Sequence, residues 1–231
     1  VISAANILSY MFLPGGLTEK KVIIIEPNFS VHKISLLLEQ EKVIKYRPLF
    51  EIISRIYAYY TPLKSGEYEF PSSITPYQVI RTLASGKSIV HHLLIPEGYT
   101  VHEILERINS EDRLVGTISG EIPEGYLMPS TYFYSYGDKR EKIVDLMRRQ
   151  MSRTLDETMS KLPANSPLKT RSDVLIMASI IEKEAGHDDE RKKIAAVFLN
   201  RLKKGMKLQA DPTTAYAITK GKYKLTRALT Y

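Results

Sequence analysis

Residues 25–34 and 95–104 read IEPNFSVHKI and IPEGYTVHEI, one pattern written twice at a constant offset of 70. Ile, Val, His and Ile coincide, an aromatic ring pairs with an aromatic ring (Phe29, Tyr99), and a hydroxyl pairs with a hydroxyl (Ser30, Thr100). Each copy reads as a strand, a tight turn and a helix capped by its hydroxyl residue. The chain must therefore accommodate two related strand–turn–helix units. Two copies are too few for a solenoid, whose stacked repeats share one continuous core. The expectation is an α+β chain: one small lobe, then the entrance to a second.

Neighbouring segments fill out the first lobe. KVIIIE (21–26) is a β-branched run that stops at Pro27, a strand signal. A helix follows over VHKISLLLEQE, and another runs from about Pro48 to Tyr60. LKSGEYEF reads as a turn into a short strand, and TPYQVIRTLASG as a helix with Thr75 as cap and Gly86 as stop. His32 and His102 sit at matching helical positions without a third ligand, so no metal is expected. Residues 121–137, rich in Pro, Gly and Tyr, read as an irregular segment whose exposed rings could stack on sugars or pin their own loop.

Composition excludes several classes. With no cysteine there is no disulfide framework, thiol nucleophile or cysteine zinc site. No run of about 20 apolar residues exists to span a bilayer. VISAANILSYMFLP, uncharged over fourteen residues, lacks a basic start and a small-residue cleavage site, so it is a poor match to a secretory signal; it reads as an amphipathic tail or the outer part of a membrane anchor. The formal charge of +7 is unevenly spread: residues 191–231 hold eleven Lys or Arg against one acid, Asp211. Such a region suits a solvated face, an anionic surface or a polyanion. A nucleic-acid reading finds no helix-turn-helix, RRM or zinc signature to support it.

The segment with most chemical content is SDVLIMASIIEKEA (172–185), a helix for which Ser172 is the expected cap. At about 100° per residue, Glu182 falls in an apolar sector with Leu175 and one turn beyond Ala178, while Glu184 points some 200° away. The helix is expected to be largely buried. The two carboxylates cannot face each other as the pair of an ordinary glycosidase does. Small Ala178 leaves room for a ligand beside Glu182, and a desolvated Glu there would hold a proton as a general acid must; a structural ion pair is the competing reading. In the next helix, with Asp188 as expected cap and Gly205 as stop, Arg201 projects into the apolar face and wants a carboxylate, Glu182 or Glu184. Asn200 flanks it. Asp211 and Pro212 read as N-cap and first residue of a further helix, and Gln209 before it has no structural explanation.

ASIIEKEA followed by ERKKIAAVFLNRLKKGMKLQADPTTAY resembles the signature of the YceG-like family, the MltG-type endolytic murein transglycosylases, and IPEGYT and EGYLMPSTY resemble two further family segments. The resemblance implies a small LysM-like lobe over 20–88, followed by a larger mixed α/β catalytic domain over 89–231, with residues 1–19 as the remnant of an N-terminal membrane anchor and linker. It implies Glu182 as the single catalytic acid, which protonates the glycosidic oxygen between N-acetylmuramic acid and N-acetylglucosamine. The carboxylate then takes the proton from the muramic 6-hydroxyl, leaving a 1,6-anhydro end. Glu184, Asn200, Arg201, Gln209, Asp211, Thr213 and Tyr216 lie in the same motifs and are expected to bind substrate or support the site. No metal or other cofactor is implied. The expected partners are peptidoglycan strands and cell-wall synthases, at the outer side of a bacterial inner membrane. A peptidoglycan-binding module without catalysis is the alternative. Ser130 stands where the family often has an acid, and the family continues past Tyr231, so the catalytic domain is expected to be C-terminally incomplete.

Overall fold

A computed structural model describes residues 9–219. Helix and strand are mixed throughout, an α+β chain that divides into two compact units. Among the described residues, the first holds the chain up to His92 with Arg113–Val115 and Phe133–Asp138; the second holds Leu93–Asp112, Gly116–Tyr132 and the residues from Lys139 to Thr219.

In the first unit, β1 (Lys21–Ile25) is followed by α1 (Val31–Gln40), α2 (Arg47–Tyr60), β2 (Gly66–Phe70) and α3 (Pro76–Ser85). β1 and β2 pair antiparallel, with Lys21 opposite Phe70 and Ile25 opposite Gly66. The apolar positions of β1 are all β-branched, but alternation buries only Ile23 and Ile25, leaving Val22 and Ile24 outside. Against the β1–β2 pair, whose Tyr68 and Phe70 are fully buried, pack Leu38, Phe50, Val79 and Leu83, also fully buried. The helix starts follow local chemistry. Ser30 accepts from the Lys33 N–H, and Thr75 and Gln78 form a reciprocal capping box. The excursions 113–115 and 133–138 are tied into this unit by polar contacts. Arg113 Nε lies 3.6 Å from Glu67 Oε2, which also meets His91 Nε2 at 2.6 Å within the main stretch, and the Ser88 and Ser135 hydroxyls meet at 3.1 Å.

β3 (Val90–Leu94) pairs with β4 (Thr131–Ser135), and the chain passes from one unit to the other within these strands. Residues 121–137 are therefore not irregular throughout: TYFYS ends the segment as a strand, with Tyr132 and Tyr134 buried and Phe133 exposed. Burial pushes the Tyr132 phenol up to about 12; its oxygen lies 2.6 Å from the Met128 carbonyl and 3.1 Å from Gln150 Oε1.

The second unit is mainly helical: α4 (Val101–Asn109), α5 (Arg140–Lys161), α6 (Arg171–Glu184), α7 (Arg191–Lys203) and α8 (Asp211–Thr219). In α5, Ile143, Val144, Met147, Met151 and Leu155 recur at helical spacing and are buried. Met151 and Leu155 join Val174, Met177, Ile180, Phe198 and Ala210 in one core that packs α5, α7 and α8 against α6. His32 pairs with Glu51 and His102 with Glu106. Part of the basic stretch, 220–231, lies outside the described residues.

Candidate active site

The cap of α6 lies two residues before the expected one. Thr170, not Ser172, accepts from the Asp173 N–H at 3.1 Å, and the Asp173 carboxylate accepts from the N–H groups of Lys169 and Thr170. Those backbone donors hold Asp173 below the usual carboxylate range. The buried face of α6 is Val174, Met177 and Ile180. The sector with Leu175, Ala178 and Glu182 is the more open one: Ala178 is exposed, and Leu175 and Glu182 are half-buried, while Ile176, 53% exposed, lies on the polar side. The helix is thus half-buried rather than largely buried. Both sectors are apolar, and only packing by α5, α7 and α8 decides which one is dry.

Two loops close on the open strip. Pro-Glu-Gly-Tyr occurs twice, at 96–99 and 123–126. In each copy the glycine has a left-handed backbone, φ +74° at Gly98 and +80° at Gly125, and in each it comes close to α6. A methyl group on Gly98 would lie 3.6 Å from Glu182 Cγ and 3.4 Å from Lys183 Nζ; one on Gly125 would lie 2.7 Å from Leu175 Cδ2. Leu175 and Glu182 are separated by two helical turns, about 10 Å. The turns are also joined to each other, because Glu124 Oε2 accepts from the Val101 N–H at 2.9 Å, at the start of the helix that follows the first turn. Thr100 and Glu103 complete a capping box there.

Glu124 has its carboxyl raised above the usual range, chiefly by burial; the Val101 N–H opposes this, Glu103 adds to it and His102 subtracts. A folded-state value above the unfolded one contributes stability that is present below the unfolded value, about 4.5, and is lost as pH rises through the folded value. Gln keeps the acceptor and never charges. Glu124→Gln is therefore expected to be at least as stable as the parent at neutral pH, with the gain vanishing in acid. Thermal midpoints at both pH values measure it, and a larger gain in acid would refute it.

Glu182 has a 28% exposed side chain, and both of its oxygens meet Arg191, whose Nη2 lies 3.2 Å from Oε1 and 3.0 Å from Oε2. Arg191 Nη1 also holds Asp188 Oδ1 at 2.8 Å, while its Nε is buried without a hydrogen-bond partner. The guanidinium expected from Arg201 is thus supplied by Arg191, ten residues earlier. Arg201 turns instead to the carbonyl of Leu208 and fixes the loop after α7. Asp188 does not cap α7 either: Glu190 is the N-cap and makes no side-chain cap bond. The Glu190 carboxylate accepts from the N–H groups of Gly186 and His187, shaping the loop that delivers Arg191.

The remaining expected residues are distributed around this pair. Glu184 lies at the exposed end of α6, and Asn200 is exposed on α7. Gln209 is exposed with a left-handed backbone, φ 51°. Asp211 opens α8, which packs on α6; Thr213 Oγ1 donates to the Ala210 carbonyl at 2.6 Å, and Tyr216 is 46% exposed. Among the described residues, the hydrogen-bond partner of Glu182 is Arg191, not one of these. Arg191 and Glu124 are the additions the structure makes. The repeated Pro-Glu-Gly-Tyr was a visible signal for Glu124, whereas Arg191 was hidden in a run of three basic residues.

Glu182, its side chain 28% exposed, thus sits on α6 paired with a guanidinium and beside a glycine turn. The chain belongs to the YceG-like family, whose model matches residues 23–230. It is 25% identical to the endolytic murein transglycosylase of Streptococcus pneumoniae serotype 2 (strain D39), over 94% of this chain and 48% of that protein. It is 28% identical to the endolytic murein transglycosylase of Bacillus subtilis (strain 168), over 84% of this chain and 62% of that protein. The chain thus spans about half to three-fifths of the length of these curated relatives. The 2.6 Å crystal structure of a YceG-like protein from Listeria monocytogenes is similar at 30% identity, covering 91% of this chain and 79% of that one, with a TM-score of 0.46.

Proposed function

We propose that this chain carries the catalytic part of an endolytic murein transglycosylase, with Glu182 as general acid and then base. The observation that carries the reading is the setting of Glu182: open to a ligand through exposed Ala178, yet ordered by Arg191. The names of the curated relatives support the substrate. In the first step the Glu182 carboxyl gives its proton to the glycosidic oxygen as the bond from muramic C1 breaks. In the second, the carboxylate takes the proton of the muramic 6-hydroxyl as that oxygen bonds to C1. Atoms balance without water, so one carboxylate suffices where a hydrolase needs two. The acid step requires Arg191 to release the protonated carboxyl, and its Nη1 contact with Asp188 gives the guanidinium a second partner.

The β–α–α–β order of residues 21–70, with its strands antiparallel, supports a LysM-like lobe. A groove of about 470 Å³ lined by Asn28, Phe29, Leu63 and Lys64 gives that lobe a place to touch glycan. Location at the outer face of a bacterial inner membrane, with synthases as partners, belongs to the proposal through the family resemblance alone. Among the described residues no helix is long and apolar enough to cross a membrane.

The test is product chemistry. The full chain is incubated with purified peptidoglycan and the new ends are weighed by mass spectrometry. Ends lighter than hydrolysis products by one water are expected. Ordinary reducing ends would identify a hydrolase. Binding without new ends would favour the non-catalytic module.

A further inference from the structure

The two Pro-Glu-Gly-Tyr turns each end on a tyrosine exposed on the second unit, Tyr99 at 40% and Tyr126 at 44%. Neither turn is free to drift. Gly98 sits over Glu182, Gly125 sits on Leu175, and the Glu124–Val101 bond links them. The points of attachment are two turns apart on one rigid helix, about 10 Å, close to the length of one disaccharide of a β-linked glycan. Beside Tyr126 lies a groove of about 350 Å³. Ile122, Pro123 and Leu155 contribute apolar surface, and Glu121, Arg148, Ser152 and Arg171 contribute polar groups.

That lining selects a class of ligand. A ring with one open face stacks on the apolar C–H face of a sugar, and its hydroxyl remains at the wet edge. The polar groups include donors and acceptors together, as hydroxyls and acetamido groups require. An anion site would present unspent positive charge, but Arg171 is paired with Asp156, and Arg148 stands 3.7 Å from both Glu141 and Asp145.

We infer that Tyr99 and Tyr126 form a two-ring track for a glycan strand laid along α6, with the groove at Tyr126 as a sugar subsite remote from Glu182. A strand too short to span from Glu182 to Tyr126 loses one platform. The location of the cut rests on the function proposed above; the track's affinity for glycan does not.

The experiment separates the two. In the full chain bearing Glu182→Gln, so that no ligand is consumed, binding of peptide-free glycan strands and of an N-acetylglucosamine tetramer is titrated by calorimetry. Tyr126→Ala is expected to weaken strand binding about tenfold, while Tyr126→Phe, which keeps the ring, retains it. Tyr99→Ala is expected to do likewise. Unchanged affinity in both alanine variants overturns the track, as does binding only of strands that keep their peptides. With active Glu182, Tyr126→Ala is expected to raise KM for strands more than it lowers kcat and to alter product lengths. If the parent makes no anhydro ends but the titrations behave as stated, the proposed reaction falls and the track stands.

Discussion

Glu182→Gln is expected to lower formation of anhydro ends by about 10²- to 10⁴-fold, the range a single general acid–base group contributes. Glutamine preserves the length and one acceptor oxygen, so the fold and the Arg191 contact are kept in part while the proton is lost. The loss should fall on kcat, because the proton moves only in the transition state. Arg191→Ala is the informative companion. It leaves the carboxylate in place but frees it from the guanidinium that meets both oxygens, so orientation is lost without the proton. A loss of about tenfold is expected there, well short of the Gln variant. Single-turnover product counts for the three proteins settle the order. Equal activity of the parent and the Gln variant would remove Glu182 from the mechanism.

The second large effect concerns stability. Gly125→Ala is expected to cost about 2–4 kcal/mol, from a left-handed backbone that disfavours a side chain and from overpacking against Leu175. The added methyl would lie 2.7 Å from Leu175 Cδ2 and 2.9 Å from Cγ, too close for a rotation of the tip alone to relieve. Gly98→Ala should cost only the backbone part, about 1–2 kcal/mol, since its nearest neighbours lie at ordinary contact distances of 3.4 and 3.6 Å. Gly98→Ala nevertheless puts its methyl over Glu182, so it should harm activity more than its stability cost suggests. Thermal unfolding with an activity measurement on the same samples separates the two. Equal loss of stability in both variants would contradict the difference in packing.

How much of this could be read from the chain depends on the range of the interactions. The repeat at 25–34 and 95–104 is local chemistry, and both caps, Ser30 and Thr100, appear where it puts them. The matched positions Asn28 and Gly98 share a left-handed backbone, φ 67° and 74°. Helix α6 was legible as a helix, but not its dry side: Val174, Met177 and Ile180 compete on equal terms with Leu175 and Ala178 until α5, α7 and α8 are in place. The partner of Glu182 was missed for a related reason. Arg201 lies on the apolar face of α7 by periodicity, but a carbonyl five residues beyond that helix's end captures it. Arg191 reaches Glu182 because the loop 185–190 turns back, and loop direction depends on the Glu190 bonds to Gly186 and His187, which no periodicity encodes.

The path of the chain through its two units has a consequence for inheritance. The first unit is not a bead on a string: it is completed by Arg113–Val115 and Phe133–Asp138, which arrive only after the chain has begun the second. Glu67 takes Arg113 from one of these returns, and Ser88 takes Ser135 from the other. A gene truncated after His92 encodes a lobe without those partners, and a recombination at that junction transplants an unfinished one. The two units are thus expected to travel through evolution as a single piece.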